Sequence, residues 1–576
     1  MQSYLRPPLS VRAAHAAALS FCAVALALAG SSAQAQTQAQ TQSAASASAN
    51  VVASSAAFGS FDPTLLVVSR SVYDNLSSNV QVGEILPPGC ASTQAGCPAS
   101  GAAFDGAYPF VWNNVIGDPS FGVTSRIFLD QITPAGGLVR TLEVPNSLNG
   151  AGQKGQLVTS FSSKSELALN LSTDGRFLTF MGYVAPVNTI DASNSNTPGA
   201  IDATDPVGEQ FFRAVARVDR EGHFTFTETN AYSGNNGRSA ILNDSNGAHV
   251  IYTAGNAGNG SNPQPTGVVL GAGAQLIDPA NQPETKQNPG TPTPLASFSI
   301  TQLGAAADKV GKDDNFRGLT VFNNVVYLTK GSGSNGVNTV YFVDTTGKAC
   351  PSGIGLPSPH ATLPTRPLNV DPATLQSTGL PGNMCVLAGF PATPNKMATT
   401  QAFPFGIWFA DANTLYVADE GDGFASDATL YTHAAAQTAA GLQKWVFDAR
   451  AKTWKLAYTL QNGLNLGIAY TVPGYPNGNN AATGLPWSPA TDGLRNITGH
   501  VANDGTVTIW GITSTVSGNG DTGADPNRLV AIRDIVGNTS ARGAGQERFI
   551  TLRNAGFGEV LRGVSLAPTG NAAPQF

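Results

Sequence analysis

"RGLTVFNNVVYLTKG", residues 317–331, is an arginine and a glycine, a short apolar run, the pair Asn323-Asn324, and a second β-branched run ending in lysine and glycine. Two such runs joined by two asparagines make a β-hairpin, because asparagine tolerates the positive φ that a tight hairpin turn demands. The same construction recurs as "ELALNLSTDGRFLTFMGY" (166–183), "RSAILNDSNGAHVIYTAG" (238–255), "FGIWFADANTLYVADEG" (405–421) and "RNITGHVANDGTVTIWGI" (495–512). Third strands follow, such as "RIFLDQI" (126–132), "TVYFVD" (339–344) and "NRLVAIRD" (527–534), and several pass through a polar turn into a fourth, such as "TWKLAYTL" (453–460). Four-stranded antiparallel units in series are propeller blades. The first ordered strand, "TLLVVSR" (64–70), has no inner strand before it, and the terminal "LRGVSLAPTG" (561–570) has no second strand after it. Each supplies what the other lacks. The chain therefore reads as an all-β, six-bladed β-propeller closed by its C-terminal strand, which leaves no sheet edge open. In the third blade "TGVVLGAGAQLIDP" (266–279) must supply both outer strands, and a seventh blade, if there is one, lies in 351–400.

Outward from the repeats, residues 1–35 have a basic start, an apolar run and an "AQA" at Ala33–Ala35, the pattern of a secretory signal. Residues 36–56 are rich in Gln, Ser, Ala and Thr without apolar period and read as a disordered tether, leaving 57–576 as one propeller domain. No other apolar run reaches the ~18 residues that a membrane helix needs. Gly 64 and Pro 37 against 12% charged residues favour turns over helices. A formal charge of −6 argues against nucleic acid, whose phosphates need a basic field. Beyond the signal there are four cysteines, Cys90, Cys97, Cys350 and Cys385. An even count after an export signal reads as disulfides, with neighbours in sequence paired as Cys90–Cys97 and Cys350–Cys385. A metal site is the weaker reading, since no Cys-x-x-Cys or paired histidine accompanies them. The expected localisation is secreted or periplasmic, and the expected state a monomer.

In a propeller, the turns from first to second and from third to fourth strand share one face, and all other connections share the opposite one. The long connections, 71–125, 184–209, 284–313, 461–492 and 513–526, fall on the second face, where binding residues are expected. The inner strands begin at that face, and aligning the repeats puts Glu166, Arg238, Arg317, Phe405, Arg495 and Arg562 at one level. Four guanidiniums around one mouth suit an anionic substrate, either a small molecule or a polysaccharide, because each offers a planar fork to carboxylate or phosphate. The alternative is a ring of ion pairs tying blades together through Asp313, Asp314, Asp492 and Glu559, which stand close in sequence. Asp314, Asp492 and the inner-strand His500 are the candidate catalytic residues. "DEGDGFASD" (419–427) and "GNGDTGAD" (518–525) bring Asp419, Asp422 and Asp521 forward as oxygen ligands for Ca²⁺, though neither follows EF-hand spacing. No organic cofactor is implied, and no Gly-x-Ser-x-Gly or His-Glu-x-x-His appears.

"PFGIWFADANTLYVADEGDG" (404–423) resembles the repeat of NHL, SMP-30 and phytase-like propellers, and the chain as a whole is similar to secreted propeller proteins of Gram-negative bacteria. The resemblance implies a central divalent cation and metal-assisted hydrolysis of an ester or phosphoester. Three functions remain open: such a hydrolase acting on an anion, a lyase of acidic polysaccharide with His500 or a tyrosine as base, and a binding or adhesive propeller without catalysis.

Overall fold

The computed structural model describes chiefly residues 58–84, 122–149, 155–198, 210–256, 273–279, 294–300, 314–366 and 382–570, apart from a few positions within them. The signal and tether segments, Cys90, Cys97, Asp313 and Asp521 lie outside the described residues. From the inside outward, blade 1 consists of Glu559–Leu566, Leu66–Val72, Thr124–Ile132 and Leu138–Glu143, and blade 2 of Asn170–Leu171, Leu178–Tyr183, Arg213–Val218 and Phe224–Thr229. Blade 3 is Gly237–Asn243, Val250–Gly255, Ala274–Ile277 and Pro294–Ile300; blade 4 is Leu319–Phe322, Val325–Lys330, Thr339–Val343 and Gly382–Leu387. Blade 5 is Pro404–Asp411, Thr414–Asp419, Gly441–Asp448 and Thr453–Leu460, and blade 6 is Ala490–Val501, Thr506–Val516, Arg528–Ile535 and Ile550–Asn554. The first strands of successive blades touch one another in an unbroken ring, from blade 1 through blade 6 and back. Closure is the one expected: Glu559–Leu566 pairs antiparallel with Leu66–Val72, Leu566 opposite Leu66 and Glu559 opposite Val72.

The opening hairpin explains itself locally. Phe322 faces Val325 across the turn. Asn323 and Asn324 between them take φ of 47° and 60°, the two positive values of a type I′ turn. Its alternate side chains enter the seam with blade 5, where Phe322 stacks on Phe409 at 4.5 Å and Phe409 meets Trp454 at 5.9 Å. Phe409 is buried, which stabilises by roughly 1.5–3 kcal/mol for a side chain of this size. Such inter-blade seams, rather than one central core, hold the ring.

Three expectations change. The outer strands of blade 3 do not both come from 266–279; the fourth is Pro294–Ile300, inside a stretch that reads as a loop. No seventh blade occupies 351–400, because Gly382–Leu387 is the outer strand of blade 4 and also pairs, in parallel, with the outer strand of blade 3. The long connections are not confined to one face, since 278–293 and 344–381 join third to fourth strands at the opposite end. The second of these is fastened by a disulfide between Cys350 and Cys385, Cα atoms 6.0 Å apart. Among the described residues no helix is long and apolar enough to cross a membrane.

Candidate functional site

Aligned positions of several neighbouring blades lie side by side, as contacts between the blades show. A side chain at Gly318 would overlap the carbonyl of Phe405 in the next blade, and one at Gly406 would overlap the carbonyl of Arg495 in the blade after that. Asn496 donates its side-chain N–H to the Arg562 carbonyl at 2.8 Å, and Arg238 donates Nη1 to the Phe316 carbonyl at 2.8 Å. At Gly318, Gly406, Asn496 and Gly563 the residue after the aligned position thus reaches the next blade's aligned strand, and a small or polar residue there is what lets those blades approach so closely. Arg238, Arg317, Arg495 and Arg562 are all buried, with Arg238 close enough to Arg317, and Arg317 to Arg495, for their like charges to act on one another.

Their partners differ from those that sequence proximity suggests. Arg495 donates Nε to Glu420 Oε2 at 3.1 Å, and Lys164 Nζ stands 4.0 Å from the same oxygen. Glu420 comes from the end of the second strand of blade 5, a position that sequence reasoning passed over in favour of its neighbour Asp419. Burial would raise the Glu420 carboxyl, but Lys164, Arg317 and Arg495 together hold it below the usual carboxylate range. Its other oxygen, Oε1, accepts no hydrogen bond among the described residues. Arg495 does not pair with Asp492, nor Arg317 with Asp314, and Glu559 pairs instead with Arg70 at 2.6 Å. Among the described residues Asp314, Asp492 and Glu559 therefore do not serve as the ion-pair partners of Arg317, Arg495 and Arg562, while Arg495 and Glu420 do form an ion pair between blades 6 and 5.

Arg317 is 6% exposed, and its Nε meets no acceptor. Its side chain makes no hydrogen bond among the described residues, and its Cζ stands 5.8 Å from the centre of the Phe405 ring. Arg238 gives Nη1 to the Asn315 side chain and to the Phe316 carbonyl, both neutral, while its Nε meets nothing. Burial, and then the like charge of Arg317, push the Arg238 guanidinium well below its ordinary value; burial lowers Arg317 too, with Arg495 adding to the effect and Glu420 opposing it. Arg562 donates Nη2 to the Phe161 carbonyl. Glu166 is saturated by neutral donors: Thr159 Oγ1 at 2.7 Å, the Ser160 N–H at 3.1 Å, Asn236 Nδ2 at 2.9 Å and the Tyr183 hydroxyl. Among the described residues Lys164, Arg317 and Arg495 thus surround Glu420, and Arg238 stands near Arg317 and Glu166. The signal for Glu420, Tyr183 and Asn236 was present in the repeats, because second-strand ends and the residues before inner strands open on the same mouth.

The remaining candidates lie elsewhere or are otherwise engaged. Asp492 takes the Gly423 N–H at 2.9 Å and Gln437 Nε2 at 2.5 Å, fastening the 420–437 connection to blade 6. Burial first, with Asp422 and Glu420 adding, pushes its carboxyl up to about 7. Asp419 accepts the Phe403 and Gly421 N–H groups at 2.7 and 3.0 Å, and burial pushes it up to about 6. Asp422 meets His433 Nε2 at 2.6 Å. Asp314 is buried. His500 is exposed at the far end of its strand, opposite Thr508, about 15 Å along the strand from Arg495 at ~3.3 Å per residue. Among the described residues the one group of three His, Cys, Asp or Glu close enough to share an ion is Asp344 with Cys350 and Cys385, and those cysteines are bonded to each other.

No protein-family model matches the chain, and no curated protein matches it. Among solved structures it is similar to a polysaccharide lyase of family PL25, an ulvan lyase bound to -[GlcA(1-4)Rha3S]-, at 11% identity and a TM-score of 0.27 over 84% of this chain and 94% of that one. It is similar also to the parainfluenza virus 5 hemagglutinin-neuraminidase ectodomain, at 10% identity and a TM-score of 0.25 over 94% of this chain and 96% of that one. Likenesses of that depth bear on neither substrate nor mechanism, and the resemblance to NHL, SMP-30 and phytase-like propellers stays at the level of the repeat.

Proposed function

We propose that this protein is an exported β-propeller that binds an anionic ligand, a small molecule or a glycan, at the mouth of its central channel, through Arg238, Arg317, Arg495 and Arg562. The observation that carries the reading is the state of Arg238 and Arg317: neighbouring, buried guanidiniums with no carboxylate partner among the described residues. Removing a charge from water costs several kcal/mol unless a counter-charge or hydrogen bonds offset it, so folded chains rarely keep such groups without a use. An anion bridging the two offsets that cost and meets charge-assisted donors already held in place by the blades. The Cys350–Cys385 disulfide agrees with an oxidising compartment. Asp492 stands close in sequence to Arg495, but both its oxygens are engaged by the 420–437 connection, so the reading stated is binding rather than turnover.

The test is the melting temperature of the parent protein in low-salt buffer with millimolar inorganic phosphate, sulfate or D-glucuronate, because a ligand of the native state stabilises by mass action. At least one anion is expected to raise it, and Arg317→Met is expected to abolish that rise. An unchanged melting temperature with all three anions would remove the proposal.

A further inference from the structure

Glu420 is the odd member of this site. A carboxylate among arginines weakens any anion that binds there, so a site built for a plain anion gains by leaving it out. Its Oε2 is occupied by Arg495, with Lys164 beyond, but Oε1 accepts no hydrogen bond among the described residues, in a side chain only 6% exposed. Beside it the 6%-exposed Arg317 donates no side-chain hydrogen bond among the described residues. Donors for an anion and one ionised acceptor therefore stand side by side, and both are unused.

Resting on the anion reading above, we propose that Glu420 is the residue that sets specificity: it accepts a hydroxyl hydrogen from the ligand, so that the ligand is a hydroxylated anion, a sugar acid or sugar ester, rather than an anion alone. An ammonium group would also satisfy a carboxylate. It would enter beside Arg317, Arg495 and Lys164, with Arg238 next to Arg317, and the repulsion of those cations favours a neutral hydroxyl donor. A bond from hydroxyl to carboxylate is charge-assisted, and a ligand lacking the hydroxyl leaves Oε1 desolvated and unpaired.

The measurement is isothermal titration of the parent protein and of Glu420→Gln with two matched pairs: D-glucuronate against cyclohexanecarboxylate, and D-glucose 6-phosphate against cyclohexylmethyl phosphate. The two pairs separate a carboxylate source of the charge from a phosphate source. In the parent the hydroxylated member of the productive pair is expected to bind at least about tenfold more tightly. In Glu420→Gln that ratio is expected to shrink several-fold while the hydroxyl-free anion gains affinity, because one carboxylate has been withdrawn from the arginines. A purely structural Glu420 predicts instead that both members weaken together, and that outcome overturns the proposal. Equal binding of both members by the parent also overturns it, leaves the anion reading standing, and needs no variant to fold. Binding of neither pair removes both readings.

Discussion

Arg317 and Arg495 occupy equivalent positions in blades 4 and 6, yet replacing each with methionine should move stability in opposite directions. Methionine keeps much of the apolar stem and removes the charge and donors. For Arg495, the loss strands Glu420, a carboxylate 6% exposed whose Oε2 then keeps only Lys164, at 4.0 Å. Breaking a buried pair from one side costs about 3–5 kcal/mol; with Lys164 and Arg317 still near, the expected cost is at the lower end, ~3 kcal/mol. Glu420→Gln in the Arg495→Met background should recover much of it, giving a coupling energy of about 1–3 kcal/mol in the double-mutant cycle. Arg317 has no acceptor to strand. Its removal relieves repulsion with Arg238 and Arg495, so Arg317→Met should be neutral or stabilising by about 1 kcal/mol. Urea unfolding in low-salt, anion-free buffer is the better assay, because for a chain this long 1 kcal/mol shifts the melting temperature by only about 1 °C. If Arg317→Met costs as much as Arg495→Met, then Arg317 has a structural partner and the inference from its missing acceptor is wrong.

Two further outcomes follow from the buried carboxyls and the disulfide. Asp492 and Asp419 have folded-state values of about 7 and about 6, above the roughly 3.9 of an unfolded aspartate. The folded chain holds these protons more tightly, so their contribution is fully present below about pH 4 and is lost as pH rises toward 7. Stability measured by urea unfolding should therefore fall between pH 4.5 and 7.5, and Asp492→Asn should flatten that slope; a parent protein that gains stability over this range would contradict it. Asp130 acts in the opposite sense below pH 4, since Arg70 and Arg553 hold its carboxyl low against its burial. Replacing both Cys350 and Cys385 with alanine opens a loop spanning 35 residues and should cost roughly 3–4 kcal/mol on the chain-entropy account, read as a lower urea midpoint with a somewhat steeper slope, since the freed denatured chain exposes more surface.

The blade count was legible because each inner hairpin carries the same local chemistry, a turn of Asn, Asp or Gly between two β-branched runs, and that chemistry acts over a few residues. Where a strand lacks it, reading failed. Pro294 heads the outer strand of blade 3, and the "TPTP" that it completes (291–294) reads in sequence as a loop. An outermost edge needs no ladder N–H at its first residue, so proline is tolerated there and sequence pattern has nothing to mark. The same holds for Gly382–Leu387, separated from the third strand of its blade by a connection long enough to suggest another unit.

The arginine ring was legible for a reason that its pairing was not. Equivalence of position follows from the repeat, so Arg238, Arg317, Arg495 and Arg562 could be set at one level by alignment alone. Pairing depends on side-chain direction, and in blade 6 the inner strand shifts register between Thr491 and Leu494 and again between Leu494 and Ile497. Each shift re-aims the residues within it. Asp492 is turned onto the 420–437 connection and Arg495 toward the channel, although three positions apart in a helix they would be neighbours and in an undisturbed strand they would point to opposite faces. The acid that reaches Arg495 comes from 75 residues away, at the end of another blade's second strand. A charge map drawn along the chain pairs the wrong groups wherever sequence neighbours face opposite sides of a strand. One drawn around the ring, from the ends of first and second strands together, leads to Glu420, and with it to the donors that no carboxylate among the described residues satisfies.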